Sequence, residues 1–254
     1  ERPFFLHMAT NVIHGPEHAE NILELDPQLG YAGHIEASMD GVQAPRASIV
    51  ERLQAEGLPV THRTVGMLWL DDAVGRLIEK LKELGEYDNT VIVYSADHGV
   101  EGKFSTHVSG THVPCIWKLP ASAHAGHRAH PQVQNCDLLP TLAELLPLHT
   151  PDGFRCDGQG YLPVLKGAQR PTREELYFEF GTQRAIQTPQ WKYIAARHQP
   201  EAIEAMRAGK STAINFAGKT GICRAHKMHP DCWDADQLYD RYRDPGERMN
   251  MADW

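Results

Sequence analysis

The stretch Asn89-Thr90-Val91-Ile92-Val93-Tyr94-Ser95-Ala96-Asp97-His98-Gly99 carries the fold reading. Val91 to Tyr94 is a β-branched and aromatic run of the kind that forms a strand covered on both faces, and such strands belong to parallel sheets. Upstream, Val65, Leu68, Trp69, Ala73, Leu77, Leu81 and Leu84 keep helical spacing over 61–84, with Glu79, Lys80, Lys82 and Glu83 between them, and Gly85 stops the helix. Helix, short loop and buried strand make one half of a parallel crossover. The class is therefore α/β, and ligands in open α/β sheets bind at the carboxyl ends of strands. Here that end delivers Asp97 and His98 together, an oxygen and a nitrogen donor suited to a metal ion, with Gly99 allowing a sharp backbone turn beside it. Taken alone, Asp-His-Gly is equally a turn whose side chains cap the next segment.

Working outward, Pro3-Phe4-Phe5-Leu6-His7-Met8-Ala9 reads as a buried strand, and Asn11-Val12-Ile13-His14-Gly15-Pro16 ends it with His14 in the following loop. Residues 17–60 form a long excursion with short helices. Val113 to Lys118 reads as another strand. Asp137 to Leu146 reads as a helix with Pro140 in its first turn and Pro147 beyond its end. After Lys166-Gly167 the character changes: Glu175–Phe180, Arg184–Ile186, Trp191–Ile194 and Gln237–Asp240 are short, aromatic-rich strands close enough in sequence to pair antiparallel. Two parts are expected, an α/β core portion over 1–165 and a small antiparallel subdomain over 166–254.

Composition limits the partners. The chain has 254 residues, 41% hydrophobic and 23% charged, a folded composition with a formal net charge of −8. The electrostatic footprint of a general nucleic-acid or anionic-membrane binder is missing, and no apolar run reaches the eighteen or so residues of a membrane span. An anionic ligand must be caught locally, and Gly102-Lys103 supplies a compact cation four residues after Gly99. The five cysteines show no C-x-x-C spacing; Cys223 and Cys232 flank a loop and fit either a disulfide, implying an oxidising compartment, or two thiols.

The strand leading to His14-Gly15-Pro16, the helix around Leu70-Asp71-Asp72-Ala73, the Ser95-Ala96-Asp97-His98-Gly99 strand end, the Gly102-Lys103 loop and Thr111-His112-Val113-Pro114 occur in an order that resembles the sulfatase family of the alkaline phosphatase superfamily. Asp157-Gly158, Leu165-Lys166-Gly167, Trp191-Lys192-Tyr193, Leu238-Tyr239-Asp240 and Asp244-Pro245-Gly246-Glu247 are similar to that family's carboxyl-terminal region. The resemblance implies a mostly parallel sheet sandwiched by helices, with a small carboxyl-terminal antiparallel sheet. It implies that Asp97 and His98 are the later pair of metal ligands, usually to calcium, with magnesium a substitute. It also implies that Lys103 holds a sulfate oxygen and that His14 stands beside the leaving group; His107, in the same loop, is a candidate substrate contact. Asp71 and Asp72 are better read as structural.

One departure stands out. The family's C/S-x-P-x-R motif, whose Cys or Ser becomes formylglycine, is absent; Pro171-Thr172-Arg173 supplies a P-x-R, but Gln169 occupies the nucleophile position. The family's early aspartate pair would precede residue 1. The expected activity is therefore hydrolysis of a sulfate ester, such as that of a sulfated saccharide, by a chain supplying the later half of a site completed by an amino-terminal segment. A phosphonate or phosphodiester hydrolase of the same superfamily and a non-catalytic binder of sulfated glycans are the alternatives. The resemblance favours a periplasmic, secreted or lysosomal location over a cytoplasmic one.

Overall fold

In a computed structural model the described residues are 3–10, 23, 28–30, 33–34, 41–99, 101–120, 126–146, 148–149, 151–168, 173–208, 214–216, 219–221 and 225–253. They divide into two compact units, 1–90 and 91–254. His14 and Cys223 lie outside the described residues.

In the first unit, β1 (Leu29–Gly30) and β2 (Gly33–His34) form a short antiparallel hairpin. Helix α1 (Ser48–Ala55) packs on α2 (His62–Glu83). The long helix appears where the periodicity places it, and Thr61 caps it reciprocally with Thr64. Ile49, Leu53 and Val65 form the buried contact, flanked by Leu68 and Trp69. Arg52 on α1 grips Asp72 on α2 through two parallel hydrogen bonds of 2.8 and 2.6 Å, so Asp72 is structural, as its helical position implies.

Residues 3–10 depart from expectation. They form no strand among the described residues and are exposed, Phe5 to 87%. A strand that is apolar on both faces is stabilised only by sheet neighbours and by cover above and below, and no described residue provides a ladder for it.

The second unit opens with β3 (Ile92–Ser95), followed by the one-turn helix α3 (Val108–Thr111) and β4 (Cys115–Lys118). Strands β3 and β4 pair antiparallel, Ile92 with Lys118 through Ser95 with Cys115. The expected parallel neighbours of β3 are not found: every ladder among the described residues is antiparallel. Accordingly β3 is half-covered, not buried on both faces.

Helix α4 (Leu138–Leu145) carries Pro140 in its first turn, and α5 (Leu162–Leu165) packs near it. Asp137, preceding α4, is fully buried; it accepts from the backbone N–H groups of Gln134 and Gln159 and from the Arg173 guanidinium. Burial opposes its charge, but Arg173 and those N–H groups outweigh burial and hold its carboxyl below the usual range. Arg173, the arginine of the P-x-R match, is thus part of this structural knot.

The carboxyl-terminal strands are β5 (Leu176–Phe180), β6 (Gln183–Gln187) and β7 (Trp191–Ala196). They are followed by helix α6 (Pro200–Arg207), the hairpin β8 (Ile214–Phe216) and β9 (Lys219–Gly221), and β10 (Asp236–Asp240). Four of these form one antiparallel sheet in the order β10-β7-β6-β5, as the aromatic alternation predicts. Register sorts its inner face into rows, Leu176-Gln187-Lys192-Tyr239 and Phe178-Ala185-Ile194-Gln237. Ala185, Ile194 and Tyr239 form the apolar part of that face, yet Gln183, Lys192 and Gln237 are buried on it as well.

Candidate functional site

Asp97 and His98 follow β3 directly. The Asp97 side chain is 86% exposed, and its Oδ1 accepts the backbone N–H of His98 at 3.0 Å. His98 Nδ1 lies 3.1 Å from the Gly99 carbonyl. A carbonyl only accepts, so Nδ1 carries a proton. Nε2 faces Asp97 Oδ2 across 3.4 Å. A proton on Nε2 satisfies that contact as an ion pair, and without it the same two atoms are neighbouring donors for a cation. The donor set therefore fits a divalent ion.

The loop 99–112 that follows is closed on itself. Gly99 N–H donates to the Gly110 carbonyl at 2.9 Å and Gly102 N–H to the Ser109 carbonyl at 3.2 Å. Gly99 has no positive φ; its lack of a side chain is needed because a Cβ there would fall on the Ser109 carbonyl oxygen. Lys103 projects from this loop, half-buried, with Nζ 5.4 Å from the Phe104 ring centroid.

His107 is not where a substrate contact would be. It is completely buried, its ring stacked on His229 at 4.3 Å, and its Nε2 lies 2.8 Å from Gln237 Oε1. Gln237 Nε2 donates to the Asp234 carbonyl, which fixes Oε1 as acceptor and makes His107 Nε2 the donor. Nδ1 is then a buried lone pair with no partner. His107 is an internal residue of the loop, a correction to the expected substrate contact. A loop histidine reads as accessible from sequence because nothing nearby says what covers it.

His107, His229 and Glu247 bring ligand atoms within 4.8 Å of one another. They do not form a metal centre in this arrangement. An imidazole binds an ion in its own ring plane, and two rings stacked with an interplanar angle of 26° send their lone pairs nearly parallel, so one ion cannot lie in both planes. His229 is instead fully committed: Nδ1–H donates to the Glu247 carbonyl at 2.9 Å, and Nε2 accepts the Ser109 hydroxyl at 2.7 Å.

Burial, reinforced by the nearby His229 and Lys192 charges, holds the His107 pKa well below the ordinary imidazole value, against a smaller opposite effect from Gln237. Burial lowers His229 as well. Both therefore take up protons at lower pH in the fold, His107 well below and His229 below the value near 6.5 at which the unfolded chain does. Their stabilising contribution is therefore complete above that pH and is lost as pH falls below it. Urea unfolding at a series of pH values should show stability dropping by up to about 1.4 kcal/mol per pH unit per histidine below pH 6.5. His107→Gln should flatten that slope; an unchanged slope would contradict the neutral-imidazole assignment.

Comparison with known proteins identifies the family. The family model described as Sulfatase matches residues 1–148. The chain belongs to the sulfatase family. An ulvan-active sulfatase of Formosa agariphila is 32% identical over 70% of this chain and 36% of its own length. Human arylsulfatase A is 26% identical over 99% of this chain and 45% of its own. A solved sulfatase structure from a glycosaminoglycan locus of Bacteroides thetaiotaomicron superposes with a TM-score of 0.56 at 24% identity, over 75% of this chain and 41% of that one. A structure holding D-glucosamine-2-N,6-O-disulfate superposes with a TM-score of 0.53 at 19% identity, over 82% of this chain and 41% of that one. These establish the α/β sulfatase fold with its carboxyl-terminal antiparallel sheet. This chain spans well under half the length of these relatives, and none of its described helices is long and apolar enough to cross a membrane.

The sequence reading named Lys192, Gln237 and Glu247 only as strand or motif residues and Gln183 not at all, yet these four hold the lysine loop. The signal for Lys192 was present: period-two alternation puts it on the same face as Ile194 and Ala196, opposite Trp191 and Tyr193.

Proposed function

We propose that this chain belongs to an enzyme that hydrolyses sulfate esters, with a sulfated saccharide as the substrate class. It would supply Asp97 and His98 to a divalent ion, with calcium favoured by the exposed carboxylate, and Lys103 to the sulfate group. The observation that carries the reading is the proximity of Asp97 Oδ2 and His98 Nε2, 3.4 Å apart at the end of β3 and a few residues before Lys103. Residues 1–165 would then be the later part of the core and 166–254 the carboxyl-terminal subdomain. The nucleophile, expected as formylglycine in a C/S-x-P-x-R motif, and the early aspartates would come from residues outside these 254. The relative named as active on ulvan and the structure holding a glucosamine disulfate support the saccharide class.

A bound divalent ion supplies charge that offsets the anionic sulfate and steadies the attacking group. Asp97 and His98 would hold such an ion at the mouth of β3, with the Gly99 carbonyl accepting from His98 Nδ1 and so orienting the ring. Lys103 places an ammonium where a sulfate oxygen gains charge as the ester bond breaks, and that charge acts locally against a net field of −8. His14, by its place in the motif order, is proposed to donate the proton to the leaving oxygen.

The test is turnover by the full-length protein of 4-nitrophenyl sulfate and of sulfated oligosaccharides, set against the corresponding phosphate mono- and diesters and phosphonates. Sulfate-ester hydrolysis that is lost with EGTA and restored by calcium is expected. Faster turnover of phosphate or phosphonate esters would favour the superfamily's phosphoryl chemistry, and glycan binding without any turnover would favour a non-catalytic binder.

A further inference from the structure

Each of the six residues that follow Lys103 is held from outside or from within the loop. Phe104, at a left-handed φ of 69°, packs its ring on Phe180 of β5 with centroids 5.6 Å apart. The Ser105 hydroxyl donates to the Gly102 carbonyl at 2.9 Å. Thr106 donates its N–H and its hydroxyl to Gln183 Oε1 on β6, at 2.9 and 3.2 Å. His107 donates to Gln237 on β10. Val108 donates its N–H to Glu247 Oε2 at 2.8 Å, and Ser109 donates its hydroxyl to His229. Glu247 is itself fixed at Oε1 by Lys192 Nζ on β7 at 2.9 Å, with both side chains buried.

The inner face of the four-stranded sheet thus meets this loop directly through Gln183 and Gln237, and Lys192 acts on it through Glu247, which with His229 lies just outside the sheet, flanking β10. Burying polar groups there stabilises little compared with an apolar face, but every hydrogen bond is directional and fixes the register of the partner. An apolar contact would tolerate sliding of the loop; a ladder of four consecutive polar contacts does not.

We infer that the carboxyl-terminal sheet is a latch for the lysine loop, and that Lys192 and Glu247 are positioning residues which set the place of Lys103 through the Val108 backbone. The kinetic consequence rests on the sulfate-ester reading; the structural one does not.

The test uses the full-length protein with Lys192→Met and Glu247→Leu combined. This replaces a buried ion pair by apolar groups of similar volume, a change often near neutral for overall stability, and leaves the Val108 N–H without its acceptor. Hydrogen exchange of the amides of residues 103–110 should accelerate about tenfold, while those of α4 change less than about twofold. Lys192→Met with Glu247→Gln, which keeps a neutral acceptor for Val108, should recover protection to within about threefold of wild type. If the doubly apolar variant fails to fold, Gln183→Met, which removes the acceptor of Thr106, tests the latch, and the Lys192→Met with Glu247→Gln variant against Lys192→Met alone tests the positioning role. In the kinetic arm, kcat/KM for 4-nitrophenyl sulfate should fall about tenfold in the loosened variant and recover in the Gln variant.

Unchanged exchange over 103–110, or equal acceleration throughout the unit, would overturn the latch. A loosened loop with unaltered kcat/KM would overturn the positioning role. Absence of sulfate-ester turnover in the wild-type protein would instead remove the proposed function and leave the exchange result to judge the latch alone.

Discussion

Lys103→Ala in the full-length protein is expected to lower kcat/KM for an aryl sulfate by about 10²- to 10³-fold, with little change in thermal stability. A preorganised donor aimed at developing charge is worth roughly 3–4 kcal/mol in such sites, which converts to that range of rate. The loop supplies the preorganisation, because Gly102 and the residues after Lys103 are tied down while the lysine itself makes no ion pair among the described residues. Stability should hold for the same reason: the Nζ contact recorded is the Phe104 ring at 5.4 Å, an interaction of about 1 kcal/mol or less near a surface. Lys103→Arg should recover only part of the loss, since a planar fork presents its donors differently from a compact ammonium. Retention of kcat/KM within threefold in Lys103→Ala would remove this residue from the sulfate site.

Glu247→Leu alone should be the most destabilising single change in the second unit. It strands Lys192, fully buried, without its carboxylate, and it also removes the acceptor of the Val108 N–H. Burial already pushes the Lys192 pKa down, with Glu247 as the opposing influence, so losing Glu247 leaves burial unopposed. Breaking a buried pair from one side costs about 3–5 kcal/mol, which for a domain of this size corresponds to a fall in Tm of about 10 °C. Adding Lys192→Met should return most of that loss, because the stranded charge, not the missing attraction, is its main source. A single variant as stable as wild type would mean that water reaches Lys192.

Much of the architecture was legible along the chain. The spacing of Val65, Leu68, Trp69, Ala73 and Leu77 is a local property of one helix, and α2 appears over His62–Glu83. The alternation in Trp191 to Ala196 and its neighbours is likewise local, and hairpin-connected strands pair with what lies next to them in sequence. The parallel neighbours expected for β3 and the buried strand expected at 3–9 are not found among the described residues. Cover on both faces depends on what else packs against a strand, and a run of apolar residues reports only the demand for it.

The site divides the same way. Sequence placed Asp97, His98 and Lys103 on one short segment after a strand, and covalent continuity alone brings them near each other. It left His107 among the candidates, since a histidine four residues from Lys103 lies in the same loop whichever way its ring turns. Only the tertiary structure turned that ring inward, onto His229, 122 residues away, and Gln237, 130 residues away. The sequence by itself therefore determined the family, the helix and hairpin elements and the order of the donor residues, all of which follow from short-range spacing. The tertiary structure decided which loop residues face ligand and which face the sheet. Burial and hydrogen-bond partnership are set by residues far apart in the chain, and no local pattern encodes them.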